Sequence, residues 1–300
     1  MLTSFPAWID ASALSEFRAC EMRDFYGRKQ RLRASAPNVH LLAGGAFAKG
    51  LEVTRRQFFL GGKSSEDSIA CGLEALWAYY GPDDDLPENN PKPCSAMEQA
   101  LVAYFDQYKL GQDVVKPFLV EGALTVEFSF ACPLPILHPE TGHPILYTGR
   151  CDAIGDYRGQ LFTCDEKTAS KLGPTWPNKW PLRGQFIGYN WACAQSGLRV
   201  AGTIVRGVAV RASGEVDFAE SLVFHPAWLI DRWLLDTTRT VERMIHAWKT
   251  ETWKYDFANS CEYCSFSRLC QTPDWEMFKE PYFKENDWSP LTPPEPLLRH

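Results

Sequence analysis

The sequence has no run of about eighteen apolar residues, which excludes a membrane-crossing helix. It opens Met-Leu-Thr-Ser-Phe-Pro-Ala-Trp-Ile-Asp, without a basic n-region or an apolar core, so no signal peptide is expected. There is no Gly-x-x-x-x-Gly-Lys-Ser/Thr, hence no phosphate-cradling loop of a built-in motor. Positive charge is in deficit: the net charge is -6, which argues against non-specific coating of nucleic acid. Histidine is scarce, and His40, His138, His143, His225, His246 and His300 fall in no metal-ligand spacing. No internal repeat is found.

What is present is a core. Of 300 residues, 45% are hydrophobic and eleven are Trp, enough for one large domain or a core with additions. Ten cysteines without an export signal point to reduced thiols or a metal site rather than disulfides, and to a cytoplasmic protein.

Helical spacing is expected over 12–33 (Leu14, Phe17, Glu21, Phe25), 44–60, 66–80 and 95–110, with a Pro- and Asp-rich loop over 81–93. The first helix carries Arg18, Arg23, Arg28, Lys29, Arg31 and Arg33, the densest basic stretch. It is either a solvated face or a phosphate-contacting strip. From 118 onward the text turns to strands, at 118–130, 147–154, 160–167, 200–211 and 216–224, the last two paired across Ala212-Ser213-Gly214. A helix lies between at 183–197, and a long one runs from Pro226 to Trp248. The divisions expected are 1–111 (helical), 112–225 (core), 226–285 (helical) and a Pro-rich tail at 286–300. The order implies an α/β core with helical additions at both ends.

Chemistry concentrates in Gly149-Arg150-Cys151-Asp152 and Asp165-Glu166-Lys167-Thr168. Side chains alternate along a strand, so Asp165 and Lys167 share one face and Cys164 and Glu166 the other. If Asp152 lies opposite Asp165, the hairpin midpoint falls between Arg158 and Gly159, inside the turn-like Asp-Tyr-Arg-Gly-Gln. Two carboxylates so close repel unless a cation sits between them. A divalent metal would serve, and a nearby lysine can orient or deprotonate a metal-bound water. The ordinary alternative is a surface hairpin with a solvated Asp165–Lys167 pair. On the next helix, Gln185 and Tyr189 stand one turn apart and could meet a phosphate or order a water, or simply form a half-buried face.

A second constellation is Cys261-x-x-Cys264 with Cys270 beyond. Three thiolates need a fourth ligand for either tetrahedral zinc or a [4Fe–4S] cube, and Cys20 is the candidate. Free thiols are the plain alternative. Spacing alone does not choose between the metals.

Together these motifs resemble the RecB-like branch of the PD-(D/E)XK nucleases, in particular the iron–sulfur members: CRISPR-associated RecB-like exonucleases and the nuclease domain of AddB-type helicase–nucleases. The resemblance spans residues 12–270. It implies a restriction-endonuclease-like core, a mixed sheet flanked by helices, whose terminal helical additions are joined by a [4Fe–4S] cluster. It implies Asp152 and Asp165 as ligands of Mg²⁺ or Mn²⁺, a further ligand at Glu166 through its carbonyl, and Lys167 as the catalytic lysine. Gln185 and Tyr189 form its Gln-x-x-x-Tyr motif, and Cys20 (in Ser12-Ala13-Leu14…Cys20), Cys261, Cys264 and Cys270 are its cluster ligands. The implied activity is metal-dependent DNA hydrolysis, chiefly exonucleolytic on single-stranded ends. Arg18, Arg23, Arg28, Lys29 and Arg150 would contact DNA, and the rings of Trp176 and Trp180 would stack bases or fill core. Partners would be recombination or CRISPR-adaptation proteins. One departure is plain: where the family has Gly-x-x-x-His, this chain has Gly44 and Ala48, with Glu52 one turn on as a substitute ligand. That departure leaves a second expectation, a catalytically weak DNA-binding or adaptor module on the same fold. A third is a zinc-stapled structural protein.

Overall fold

The computed structural model describes residues 2–82, 86–87, 89–120, 122–257, 261–280 and 282–286. The Pro-rich tail expected at 286–300 lies almost wholly outside them. In chain order the strands and helices begin with β1 (Trp8–Asp10), α1 (Ala11–Ala19), α2 (Glu21–Asp24), β2 (Leu32–Ala34), α3 (Val39–Phe59), α4 (Ser65–Tyr80) and α5 (Cys94–Gln107). Strands β3 (Val115–Pro117), β4 (Leu119–Val120), β5 (Ala123–Leu124), β6 (Val126–Leu137), β7 (Pro144–Tyr157) and β8 (Gln160–Ala169) follow. Then come α6 (Gly184–Gln195), β9 (Val200–Val210), β10 (Val216–Phe224), α7 (Ala227–Thr250), α8 (Ser267–Cys270), α9 (Trp275–Phe278) and β11 (Phe283–Glu285). No helix among the described residues is long and apolar enough to cross a membrane.

The chain forms two compact units, divided after Ala36, inside β6, inside β7 and after Pro226. One comprises 37–128 and 150–226. Its mixed sheet pairs β3 with β7, β7 with β8 and β9 with β10 antiparallel, while β8 and β9 run parallel. The β7–β8 register places Tyr157 opposite Gln160. Arg158 and Gly159 both take positive φ, 55° and 82°, as a two-residue turn matching the strand twist requires. Helices cover both faces of the sheet. Val208 and Val210 of β9 pack with Phe47, Leu51, Leu76, Leu101 and Tyr104 of α3, α4 and α5. Toward α6, Thr163 and Thr203 donate to Asn190 Oδ1 at 3.2 and 3.4 Å. Asn190 in turn meets His225 Nδ1 at 2.8 Å. The rings of Trp176 and Trp180 lie buried edge to face, 5.1 Å apart. They are core residues, and the base-stacking expectation for them falls.

The other unit comprises 1–36, 129–149 and 227–300. In it β1 runs parallel to the start of β7, with Trp8 opposite Leu146, and β2 pairs antiparallel with β11. The single helix expected over 12–33 breaks at Cys20, whose backbone is extended (φ -168°, ψ 121°). Asp10 caps α1 by accepting from Ala13 N–H. After α2 a wide π turn spans Phe25–Lys29 and seats Phe25 and Tyr26 against Trp275.

This break redirects the basic residues, and the phosphate-contacting strip is corrected accordingly. Arg18 pairs with Asp236 at 2.7 Å and bonds Thr237 and Thr240 of α7. Arg28 pairs with Glu16 at 2.5 Å. Lys29 is buried, 2.7 Å from Glu251 and over the Trp248 ring. Arg18 is thus tied to α7 and Lys29 to Glu251 just beyond it, while Arg28 pairs with α1.

Candidate functional site

Asp152, Asp165, Glu166 and Lys167 all lie in the first unit. The β7–β8 ladder is paired as far as Ala153 and Cys164. One step further stand Asp152 and Asp165. Asp165 is 2% exposed, and Lys167, two residues along the strand, places Nζ 2.6 Å from its Oδ1. Asp152 does not simply face Asp165. Its Oδ2 accepts the backbone N–H of Glu166 at 2.8 Å, and it lines a niche with Ala48, Leu51, Glu52, Arg55, Glu127 and Glu166.

Burial, then repulsion from Asp165 and Glu166, push the Asp152 carboxyl well above the usual carboxylate range. Burial also raises Asp165, against the opposing pull of Lys167. Lys167 resists burial because both carboxylates favour its ammonium form. Lys167 offsets only part of the charge of these two oxygen donors, so the donor set fits a hard divalent cation.

Glu166 behaves differently. Its side chain faces away from the pair and is held by Arg55 (Nη2 to Oε1, 2.5 Å) and by the Tyr104 hydroxyl (2.7 Å). Despite burial, Arg55 draws its carboxyl down to about 2. Its carboxylate is therefore engaged, leaving only the backbone for the expected ligand role.

Ala48 lines the Asp152 niche, so the position is part of the site although its methyl brings no donor. Glu52, one turn on, lines it too but is bound by Lys49 (2.9 Å) and Arg56 (3.0 Å). These partners outweigh burial and keep its carboxyl below the usual range. Among the described residues, no three His, Cys, Asp or Glu side chains are gathered tightly enough to hold a single metal ion. A cation here would thus have two protein carboxylates and complete its shell elsewhere.

On α6 the Gln185 amide donates to the Tyr189 hydroxyl at 2.8 Å, so the two do share a face. The next residue, Phe186, places its ring 5.7 Å from Lys167 Nζ. Arg150 is well exposed and pairs with Glu127 at 2.6 Å.

Four residues escaped sequence reasoning. Arg55 and Tyr104 sit on helices where only their distant partner gives them meaning. Exposed Arg183 precedes α6 and favours the charged form of Asp165. Glu127 takes φ 57°, a left-handed conformation that costs a non-glycine residue energy and that no local pattern announces.

In the second unit, Cys20, Cys261, Cys264 and Cys270 line one apolar cavity with Met22, Arg23, Tyr26 and Phe266. Arg23, expected on DNA, belongs to this wall. Cys270 is raised by burial and by its three cysteine neighbours, against the Tyr26 hydroxyl. The ten cysteines form no disulfide among the described residues, and Cys151 and Cys164 are buried.

A mixed α/β core carrying two close acids and a lysine on one hairpin defines a class of phosphodiester-cleaving folds. The chain belongs to the PD-(D/E)XK nuclease superfamily, whose family model matches residues 10–271. No curated protein matches it. Among solved structures it is similar to a "putative exonuclease" from Eubacterium rectale, at 12% identity over 86% of this chain and 88% of that one, with a TM-score of 0.48. The crystal structure of SSO0001 aligns at 15% identity over 77% of this chain and 94% of that one, with a TM-score of 0.32. Both alignments are too loose to add to the family match.

Proposed function

We propose that this protein is a metal-dependent DNA exonuclease of the RecB-like, iron–sulfur type, acting on single-stranded ends. The observation that carries the reading is the Asp165–Lys167 ion pair beside Asp152, with Asp152 tied to the same strand through the Glu166 N–H. Asp152 and Asp165 would hold Mg²⁺ or Mn²⁺, the ions this superfamily generally uses. Such an ion, when bound, neutralises charge on the scissile phosphate and acidifies water. Lys167, held as an ammonium by the two carboxylates, orients the attacking water at Nζ. Gln185 and Tyr189, already bonded to each other, offer an amide and a hydroxyl to a phosphate oxygen. Arg150 and Arg183 are the exposed cations that would meet the strand.

The four cysteines would hold a [4Fe–4S] cluster. The four line one cavity, as ligands of a shared centre would, and the resemblance to the iron–sulfur nucleases is what favours a [4Fe–4S] cube over zinc.

The test is cleavage of a labelled single strand with Mn²⁺, on blocked and unblocked ends, by the wild type and Asp165→Ala. Loss of cleavage in the variant is expected; undiminished cleavage removes the site assignment. Ala48, a position in the niche with no donor atom, favours a second reading, an adaptor that binds DNA without cutting. DNA affinity with no cleavage at any metal concentration would select it. The DNA served in recombination or CRISPR adaptation is the partner this reading expects.

A further inference from the structure

We infer that Arg55 and Tyr104 are positioning residues for the acidic hairpin, acting through Glu166; the inference rests on the nuclease reading above. Glu166 lies between the two residues proposed for chemistry and does two things at once. Its backbone N–H fixes the Asp152 carboxylate. Its side chain is clamped by Arg55 and Tyr104, and Arg55 also lines the Asp152 niche.

That network is built in depth. Arg55 meets Glu166 with both terminal nitrogens, at 2.5 and 3.4 Å, and also donates to the Tyr104 hydroxyl at 3.0 Å. Tyr104 donates to Glu166 at 2.7 Å. Arg206, opposite Glu166 on β9, donates to Tyr104 at 3.2 Å. It is itself held by Asp113 at 2.6 and 2.8 Å and by Glu220 at 2.9 Å. Its guanidinium lies 3.8 Å from the Tyr108 ring centroid. Arg55, Tyr104 and Arg206 are all buried.

A strand residue whose side chain is locked on one face cannot rotate without moving its neighbours on the other. Holding Glu166 therefore sets where Asp165 and Lys167 point and keeps the N–H aimed at Asp152. A buried ion pair is a weak source of net stability, because desolvation offsets attraction. Its geometric effect here is orientation of the groups that would bind the cation.

The discriminating variant is the double substitution Arg55→Met with Glu166→Leu, which removes both charges and leaves neither buried alone. Three quantities are compared with the wild type: Mn²⁺ affinity by paramagnetic resonance titration without DNA, the thermal midpoint, and kcat and KM on a labelled strand. The midpoint is expected near the wild-type value, whereas Arg55→Met alone falls well below it. Mn²⁺ affinity and kcat in the double variant are expected to drop about 10–100-fold, with KM little changed. Wild-type affinity and kcat in the double variant overturn the inference. Should it not fold, Tyr104→Phe keeps the ion pair and removes one donor; a several-fold weaker Mn²⁺ affinity supports the role, and unchanged affinity overturns it. Asp165→Ala separates the levels. If it loses Mn²⁺ while the Glu166 variants do not, only the positioning role fails; if it binds Mn²⁺ like the wild type, the site itself fails, and the inference with it.

Discussion

Lys167 Nζ lies 2.6 Å from Asp165 Oδ1, two residues along the same strand. The carboxylate is buried, and the ammonium is its nearest positive charge, while the lysine side chain remains about one-third exposed. Lys167 thus reaches outward from a site that otherwise faces inward. Replacing it with methionine keeps length and apolar contact with Phe186 but removes the donor. Lys167→Met should lower kcat by about 10²–10⁴-fold with an unchanged circular dichroism spectrum. Cleavage within a few-fold of the wild type would remove Lys167 from the reaction.

Gly149 explains itself by what lies over it. A Cβ there would run into the ring of Phe130, which is buried and stacked on Tyr147 with centroids 5.6 Å apart. Gly149→Ala should cost about 1–3 kcal/mol of stability, read from thermal denaturation. Adding Phe130→Leu should recover part of the loss, because it clears the ring edge. No change on Gly149→Ala would show that the close approach is not what requires glycine.

Asp24 is buried, and desolvation raises its carboxyl to about 6, against Arg28 and the Trp248 indole N–H. A folded pKa above the unfolded value of 3.8 means the native state binds the proton more tightly. This contribution to stability is complete below about pH 4 and fades as pH rises through about 6. At pH 8 the buried charge persists at a cost on the order of 2–3 kcal/mol, at 1.36 kcal/mol per pKa unit. Asp24→Asn can still accept from Trp248, which lies 3.2 Å away. It should be more stable than the wild type at pH 8 and lose the slope between pH 4 and 6. Denaturant unfolding at pH 5 and pH 8 checks this; equal slopes would refute it.

Cys264 tests the cluster. Joining Cys20 to the C-terminal triplet would close a loop of about 240 residues, which should disfavour the unfolded chain. Wild-type protein purified without oxygen should be brown and carry about four irons per chain. Cys264→Ala should be colourless and poorly soluble. A soluble, fully active Cys264→Ala protein would end the staple reading, and a colourless wild type holding zinc would replace it.

Several features were legible before any coordinates. The turn at Arg158-Gly159 and the register it enforces follow from local chemistry: a short polar stretch with a glycine able to take positive φ between alternating strands, to which the structure adds positive φ at Arg158. The one-turn spacing of Gln185 and Tyr189 likewise follows from helix geometry, and the structure adds their hydrogen bond. The Cys-x-x-Cys pair and the third cysteine mark themselves by spacing.

Other features depend on partners far along the chain. The basic stretch from Arg18 to Lys29 reads as a strip in one dimension. Its charges are instead met by Asp236 and Glu251, and Arg18 also bonds Thr240, 222 positions away. The apolar spacing does not announce the helix break at Cys20, beyond which Phe25 and Tyr26 pack against the distant Trp275 and Phe266.

The sequence by itself determined the two acids, the lysine and the hairpin that brings them near each other, because strand alternation and turn preference act over a few residues. Only the tertiary structure decided where Asp152 turns its carboxylate and what holds Glu166. Arg55 and Tyr104 stand 111 and 62 positions from Glu166, and such pairings exist only once helices and sheet have packed.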